Sequence, residues 1–124
     1  MTPGETIEQA DELMTGNSIR QLPVVEGNAV LGIITDRDIR SFLANSMLAD
    51  PEERAKALKT KVEEVMTRNP LTLAPDDELR DAVEVLVEDK IGGIPVVDAV
   101  EGLVGIVTYV DVLRCFLNRL DEEA

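Results

Sequence analysis

The chain contains no histidine and no tryptophan, and it has a single cysteine among its 124 residues. The absence of histidine removes the most common general base, the nucleophile–histidine dyads and nearly all zinc chemistry. One cysteine, Cys115, cannot form an internal disulfide or a cysteine-rich metal site. We therefore expect no catalytic residues, no metal site and a protein that is not an enzyme.

Aromatic residues and long apolar runs are also scarce. The only aromatic side chains are Phe42, Tyr109 and Phe116, too few for a platform on which nucleic-acid bases stack. The net charge of −13 opposes binding to nucleic acids and to anionic membranes. The longest mostly apolar uncharged stretch, residues 102–110, is far shorter than the ~20 residues of a membrane-spanning helix. The acidic N-terminal residues do not resemble a signal peptide, so we expect a cytoplasmic protein without membrane insertion.

The main feature that the chain does contain is an internal repeat. With a shift of 72 residues, Pro23–Val25 falls on Pro95–Val97, and after one inserted residue the shift becomes 73. Gly32–Asp38 then falls on Gly105–Asp111, with identical glycine, isoleucine, threonine and aspartate residues. Because the agreement keeps its order along the chain, we interpret the protein as two copies of one supersecondary unit.

Each copy is predicted to be a β-α-β-β-α unit, which makes the fold class α+β. In the first copy we expect a helix over 5–14, strands over 22–25 and 30–35, and a helix over 36–48. In the second copy we expect a short strand over 71–73, a helix from Leu79, strands over 94–97 and 103–108, and a helix over 109–120. Two such copies packed face to face would cover each other's sheets.

Three segments follow from the repeat. The first repeat covers residues 1–48, residues 49–65 form a helical linker, and the second repeat covers residues 66–124. The segment Val65–Leu73 opens the second copy, whereas Met1 already aligns with Leu73, so this sequence does not contain the opening strand of the first copy. Either the chain is a fragment of a longer protein, or the first copy has lost this strand. We therefore expect the second copy to have the more complete binding pocket.

A Thr-x-x-Asp motif occurs in both copies where a strand is followed by a helix. Thr35 with Asp38, and Thr108 with Asp111, have the spacing of a capping box, which stabilises a helix N-terminus by ~1 kcal/mol. The same place offers free backbone N–H groups and a hydroxyl for a phosphate, and a carboxylate for the hydroxyls of a ribose. Capping and nucleotide binding are both open, and they do not exclude each other.

The order apolar-Pro-Val-Val, turn, Gly-apolar-apolar-Thr-x-x-Asp, present twice, resembles a tandem cystathionine-β-synthase (CBS) domain pair, also called a Bateman module. The resemblance covers nearly the whole chain. It implies two repeats packed as a pseudo-twofold disc, with inter-repeat clefts that bind AMP, ADP, ATP or a related adenosine ligand, and no required cofactor. It also implies a homodimer and a regulatory, non-catalytic role for an enzyme, a transporter or a signalling protein.

The resemblance also implies which residues bind the nucleotide. Threonines face phosphate, aspartates face ribose, backbone before Pro-Val-Val lines the adenine pocket, and arginine supplies a counter-charge. By position in this sequence these residues are Thr35, Asp38, Leu22, Arg37, Thr72, Gly93, Ile94, Thr108 and Asp111. Arg68 is a second candidate counter-charge. The alternative function is a dimerisation or protein-interaction module whose clefts are empty.

Overall fold

A computed structural model describes residues 1–44, 50–89 and 91–123 of the chain. The chain divides into two units, Met1–Pro70 and Leu71–Ala124. Each unit contains one helix, an antiparallel hairpin and a second helix directly after the hairpin. The duplicated architecture and the α+β fold class predicted from the sequence are therefore confirmed.

The first unit contains a sheet in the strand order β1-β2-β3, in which both neighbouring pairs are antiparallel. Its elements are α1 (Ile7–Asn17), β1 (Gln21–Glu26), β2 (Ala29–Thr35), α2 (Asp36–Ala44), α3 (Pro51–Leu58), a 3₁₀ turn (Val62–Glu64) and β3 (Thr67–Arg68). Residues 45–48, predicted as the end of the second helix, lie outside the described residues.

Helix α1 begins where its sequence supplies a capping box. The Gln9 N–H donates to Thr6 Oγ1 at 3.2 Å, and the Thr6 N–H donates to Gln9 Oε1 at 2.8 Å. The buried residues of α1 are spaced three and four apart, so they lie on one face of the helix. This face packs into a core of Ile7, Ala10, Met14, Val24, Ile34, Ile39, Val62 and Met66.

The second unit contains a two-stranded sheet of the described residues. Its elements are α4 (Leu79–Glu88), β4 (Gly93–Asp98), β5 (Gly102–Thr108) and α5 (Tyr109–Glu123). The strand predicted over 71–73 is wrong, because only Leu73 makes a bridge, a parallel one to Val96. Pro70 and Pro75 flank this segment without N–H groups, which limits the length of ladder that it can form.

The two hairpins have the same register. Gln21 lies opposite Thr35, and Gly93 lies opposite Thr108. In both hairpins the pairing register shifts by one residue between the two valines of Pro-Val-Val. The residue inserted in the second copy lies in the turn, because Glu26 pairs with Ala29 whereas Asp98 pairs with Gly102. The turn of the second hairpin is therefore one residue longer, which explains why the offset between the repeats changes from 72 to 73 residues. The strands of the two hairpins stay aligned.

Met1 occupies the position that Leu73 has in the second unit. Its amino group donates to the Pro23 carbonyl at 3.1 Å, and the Val25 N–H donates to the Met1 carbonyl at 2.8 Å. The Leu73 N–H and carbonyl make the same two bonds to the second hairpin, at 2.9 and 2.8 Å. The first copy therefore has the residue that bridges the hairpin, although its opening strand was predicted to be missing.

The segment 62–70 lies in the first unit, although residues 66–70 open the second repeat in sequence. Val62 is completely buried in the first core, and β3 pairs with β2 so that Arg68 lies opposite Gly32. The boundaries 1–48, 49–65 and 66–124 stay a prediction about the duplication of the sequence. The expectation of a more complete second pocket loses its basis, because this segment extends the sheet of the first unit.

Gly32 and Gly105 are equivalent in sequence but have different surroundings, which predicts different effects of adding a methyl group. A Cβ at Gly32 would lie 2.6 Å from Met66 Sδ and from the Thr67 carbonyl, whereas a Cβ at Gly105 would meet nothing within 4 Å. We expect Gly32→Ala to lower the free energy of unfolding by about 1–3 kcal/mol. Gly105→Ala should change it by less than about 0.5 kcal/mol. Urea unfolding measures both, and equal losses would contradict the position of β3.

Asp98 stabilises the turn between β4 and β5 in a pH-dependent way. Its Oδ1 accepts the N–H groups of Glu101 at 3.0 Å and Val100 at 2.8 Å, and these bonds lower the pKa of the carboxyl group. A lowered pKa contributes stability above the ordinary pKa of aspartate, and this contribution is lost as the pH falls through the lowered value.

We therefore expect Asp98→Asn to melt below the wild type near neutral pH and to match it in acid. Thermal unfolding at both pH values is the measurement. Glu101→Gln, which removes a charge from the same turn, is the control. A difference between Asp98→Asn and the wild type that persists unchanged in acid would contradict the assignment.

Candidate functional site

Each unit places its Thr-x-x-Asp motif where the second hairpin strand is followed by a helix. The Thr35 N–H donates to Asp38 Oδ2 at 3.0 Å, and the Asp38 N–H donates to Thr35 Oγ1 at 3.0 Å. The Thr108 N–H donates to Asp111 Oδ2 at 2.8 Å, and the Asp111 N–H donates to Thr108 Oγ1 at 3.3 Å. Both motifs are therefore reciprocal capping boxes at the N-termini of α2 and α5.

Capping uses only part of each carboxylate. Within the described part of the chain, Oδ1 of Asp38 and Oδ1 of Asp111 accept no hydrogen bond. A carboxylate has about four lone-pair positions on its two oxygens, so each aspartate keeps most of its capacity to accept. The residues differ in exposure, because Thr35, Asp38 and Thr108 are half-buried whereas Asp111 is exposed.

The two threonine hydroxyls also differ. Thr108 Oγ1 donates to Asp111 Oδ2 at 3.0 Å, so its proton is engaged inside the cap. The described residues accept no hydrogen bond from the Thr35 hydroxyl, which only accepts the Asp38 N–H. Among the described residues, the Thr35 hydroxyl proton is therefore left for a ligand, whereas the Thr108 hydroxyl donates within its own cap.

The hairpin register brings the segment before Pro-Val-Val next to each motif. The Asp36 N–H donates to the Arg20 carbonyl at 2.9 Å, and the Tyr109 N–H donates to the Gly92 carbonyl at 3.3 Å. Leu22 pairs with Ile34, Gly93 with Thr108 and Ile94 with Val107. The structure thus brings these predicted site residues close together within each unit. They are Leu22, Thr35 and Asp38 in the first unit, and Gly93, Ile94, Thr108 and Asp111 in the second.

Three other candidate residues are placed differently. Thr72 is exposed and precedes Leu73, which bridges the edge of β4 away from β5, so Thr72 lies roughly 10 Å from the motif across two strand spacings. Arg37 is exposed in the first turn of α2. Arg68 donates to the Glu63 carbonyl at 3.1 Å and is thereby held along its own segment.

A surface cavity of about 400 Å³ opens at Asp36, the residue after Thr35, although neither Thr35 nor Asp38 lines it. Arg20, Asp36 and Arg40 are among the residues that line it, and Arg40 Nη2 lies 3.3 Å from Asp36 Oδ2. None of these three residues was predicted from the sequence. Two of them were recognisable by position, because Arg20 directly precedes the first hairpin and Asp36 directly follows Thr35.

The second unit has no counterpart to these charged side chains. The positions equivalent to Arg20, Asp36 and Arg40 are occupied by Gly92, Tyr109 and Leu113. The cavity beside Thr35 is therefore lined by two arginines and an aspartate among its charged residues, whereas the three equivalent positions of the second unit are uncharged.

In residues 1–44, 50–89 and 91–123, no group of three or more acidic or cysteine side chains is arranged to hold a metal ion. None of the helices within these ranges has the length and apolar character that crossing a membrane requires.

Comparison with protein families gives a match to the CBS domain over residues 1–45 and 62–118. The chain is 34% identical to the uncharacterised protein MJ1225 of Methanocaldococcus jannaschii over an alignment 128 residues long, gaps included, which covers 97% of this chain and 46% of that protein. The crystal structure of MJ1225 matches with a TM-score of 0.83 and 32% identity, covering 96% of this chain. The chain thus spans about half the length of this relative.

Two similar crystal structures contain adenosine ligands. CBSX2 in complex with AMP has a TM-score of 0.79 and 30% identity, over 95% of this chain and 86% of that chain. The CBS domain pair of MJ0100, in complex with 5′-methylthioadenosine and S-adenosyl-L-methionine, has a TM-score of 0.79 and 31% identity, over 96% and 89%. Inosine-5′-monophosphate dehydrogenase of Korarchaeum cryptofilum is 32% identical, but the match covers only 21% of that enzyme.

Proposed function

Because this chain belongs to the CBS domain family, we propose that it is a regulatory module that senses an adenosine-containing ligand of the AMP, ADP and ATP class and performs no catalysis. The observation that carries the proposal is the geometry shared by both Thr-x-x-Asp motifs. Each places an aspartate with an unbonded Oδ1 at the hairpin end where the backbone before Pro-Val-Val pairs. The adenosine ligands of CBSX2 and MJ0100 support this ligand class.

The proposed contacts follow from the donors and acceptors at each motif. A ribose offers two neighbouring hydroxyl donors, and Oδ1 of Asp38 or Asp111 is an acceptor for them. Such bonds to an ionised carboxylate are about twice as strong as neutral ones. The backbone at Leu22, or at Gly93 and Ile94, supplies N–H and carbonyl groups for the adenine. Thr72 stays a candidate for the second pocket.

We propose that the first unit binds the phosphate-bearing ligand. Its Thr35 hydroxyl proton is not used by the described residues, and Arg37 and Arg40 lie in the first turns of the following helix. The equivalent residues in the second unit are Val110 and Leu113. Because the whole chain carries a charge of −13, local cations decide where a phosphate is tolerated.

The aspartates provide the direct test. Asp38→Asn and Asp111→Asn should each cost about 0.5–1 kcal/mol of stability, because an amide still caps the helix but loses charge–dipole attraction. Loss of a charge-assisted bond of about 1.5–3 kcal/mol should weaken ligand binding at the altered site at least about tenfold. For AMP, the larger effect is expected at Asp38. Calorimetric titration with AMP and thermal unfolding measure the two effects.

Asp81→Asn is the matched control for this experiment. Asp81 is the third residue of α4 and accepts the Glu78 N–H at 3.3 Å, so it has the same capping role without a preceding threonine. It should lose a similar stability and keep its AMP affinity. If Asp38→Asn and Asp111→Asn behave like Asp81→Asn, the motifs are helix caps only, and the nucleotide proposal is wrong.

A second function, dimerisation, is favoured by the apolar face of α5. Leu113, Phe116, Leu117 and Leu120 are spaced three and four apart, and each is between 46% and 59% exposed. Single exposed apolar residues are ordinary, but a contiguous stripe of this kind marks an interaction surface. We propose that this stripe pairs with the same stripe of a second copy, which makes the protein a homodimer.

Phe116→Glu should convert the homodimer to a monomer, because a carboxylate in the middle of the buried stripe would be left without a partner. Asn118→Glu adds the same charge on the opposite side of α5 and should leave the dimer intact. Light scattering after size exclusion distinguishes the chain mass of 13.6 kDa from twice that value. A wild type that is monomeric at micromolar concentration would refute this interface.

The cellular setting belongs to the same proposal. An exposed free cysteine, Cys115, suits a reducing compartment, which favours the cytoplasm. The module would control an enzyme, a transporter or a signalling protein, with neither nucleic acid nor membrane as partner. The match to part of an inosine-5′-monophosphate dehydrogenase supports an enzyme as the controlled protein.

A further inference from the structure

The cavity at the start of α2 is separate from the Thr-x-x-Asp motif. Asp36 and Arg40, which line it, are four residues apart and therefore lie on one side of α2. Asp38 is two residues from Asp36, so it lies on a different side of the helix, where its Oδ2 accepts the Thr35 N–H at 3.0 Å. The cavity can therefore hold a ligand of its own.

Three segments of the first unit surround this cavity. The lining residues of α1 are spaced three and four apart, so they share one face of that helix. They are Asp11, Met14 and Thr15. Ser18, Ile19 and Arg20, which connect α1 to β1, line the cavity as well. The Asp36 N–H donates to the Arg20 carbonyl at 2.9 Å and holds this connection against the first turn of α2.

The charged side chains of the lining balance each other. They are two aspartates and two arginines, so the formal charge of the lining is zero. A phosphate would meet the carboxylates of Asp11 and Asp36. A simple cation would meet the guanidinium groups of Arg20 and Arg40. A zwitterion has a partner for each of its charges, and because it has no net charge, the −13 of the chain does not oppose its approach.

The ion pair in the lining is able to receive such a ligand. Arg40 Nη2 and Asp36 Oδ2 are 3.3 Å apart, and the arginine side chain is 75% exposed. A guanidinium has five N–H donors in a fork that matches a carboxylate, and a carboxylate has about four lone-pair positions. Because an exposed ion pair contributes little to stability, a ligand that inserts between the two groups loses little by separating them.

The size and the uncharged lining of the cavity indicate which zwitterion it suits. Its volume of about 400 Å³ lies at the small end of ligand pockets, which span roughly 300–1,000 Å³. Ile19, which is 40% exposed, and Met14 offer apolar surface. Thr15 and Ser18 add hydroxyl groups. This combination fits a molecule of the size of an amino acid with an apolar side chain.

The second copy shows that the fold does not require this polar lining. Val83 occupies the position that Asp11 has in the first copy. Val87 likewise replaces Thr15, and the equivalents of the other three charged residues are uncharged. The order of elements and the hairpin register are nevertheless the same in both units. Folding therefore does not explain the polar lining of the first unit, which favours a ligand as its reason.

We propose that the cavity between α1 and α2 binds an α-amino acid with an apolar side chain, as a second ligand besides the adenosine ligand of the proposed function. The carboxylate of the amino acid binds the guanidinium groups of Arg20 and Arg40. Its ammonium group donates to the carboxylates of Asp11 and Asp36, and its side chain packs against Ile19.

Calorimetric titration of the full chain with L-valine, L-leucine and L-methionine is the test. Arg40→Gln should weaken the binding of the tightest of the three at least about tenfold, because a charge-assisted bond is lost. Arg37→Gln is its matched control, since it removes the same charge from α2 at a residue that does not line the cavity. On α1, Asp11→Asn should weaken binding to a similar extent, and Glu12→Gln is the control that leaves it unchanged.

The ligand provides a second pair of comparisons. Leucinamide lacks the carboxylate and isocaproate lacks the ammonium group, so each should bind at least about tenfold more weakly than L-leucine. Equal binding of either compound would show that the cavity does not recognise a zwitterion, which would overturn the proposal.

Two further results would contradict it. One is the absence of saturable binding with all three amino acids at millimolar concentration. The other is an equal loss in Arg40→Gln and Arg37→Gln, or in Asp11→Asn and Glu12→Gln, which would place the amino acid elsewhere. The titrations contain no AMP, so their outcome is independent of whether the nucleotide proposal holds.

Discussion

The register of the hairpin is the constraint on which the rest of each unit depends. Side chains alternate between the two faces of a strand, so a slip of one residue would turn the buried valines and isoleucines to solvent. The two turns differ by one residue, and glycines with positive φ, Gly27 at 59° and Gly102 at 79°, provide the backbone conformations that they need. With the strands thus aligned, Thr35 and Thr108 face the same partner positions in both units.

In the proposed site, helix capping and ligand binding use different atoms of one aspartate side chain. In each motif Oδ2 holds the threonine N–H, and this bond fixes the direction in which Oδ1 points. A carboxylate that is already held in place loses less conformational entropy when a ligand binds. A capping box is therefore compatible with a binding site at the same helix N-terminus, and its presence does not count against the proposed role.

Duplication has left two units with the same backbone plan and different surfaces. Helix α2 carries Arg37 and Arg40 where α5 carries Val110 and Leu113. The sheet of the first unit has a third strand, whereas the described residues of the second unit form a sheet of two strands. Under the proposed function, these differences suit the first unit to an anionic ligand and the second unit to contacts with protein through α5.

The sequence by itself determined the repeat, the hairpins, the helices and both capping boxes, because these depend on contacts between residues close in the chain. Thr6, Thr35 and Thr108 find their partners three residues away, and the apolar stripes are visible at helical spacing. Hairpin pairing in the structure is sufficient to bring Leu22, Gly93 and Ile94 beside the motifs. The roles of these residues toward a ligand stay a prediction.

Only the tertiary structure decided where the segments between the repeats lie. Residues 62–70 read as the start of the second copy, yet Val62 and Met66 find their burial in the first core. Met1 bridges the first hairpin through bonds that its own sequence does not signal. Local pattern shows that a residue is apolar but not which of two equivalent cores will bury it. That choice depends on close packing between segments that are distant in sequence. Here Met66 and Thr67 pack directly over Gly32, whereas no atom lies within 4 Å of a Cβ at the equivalent Gly105.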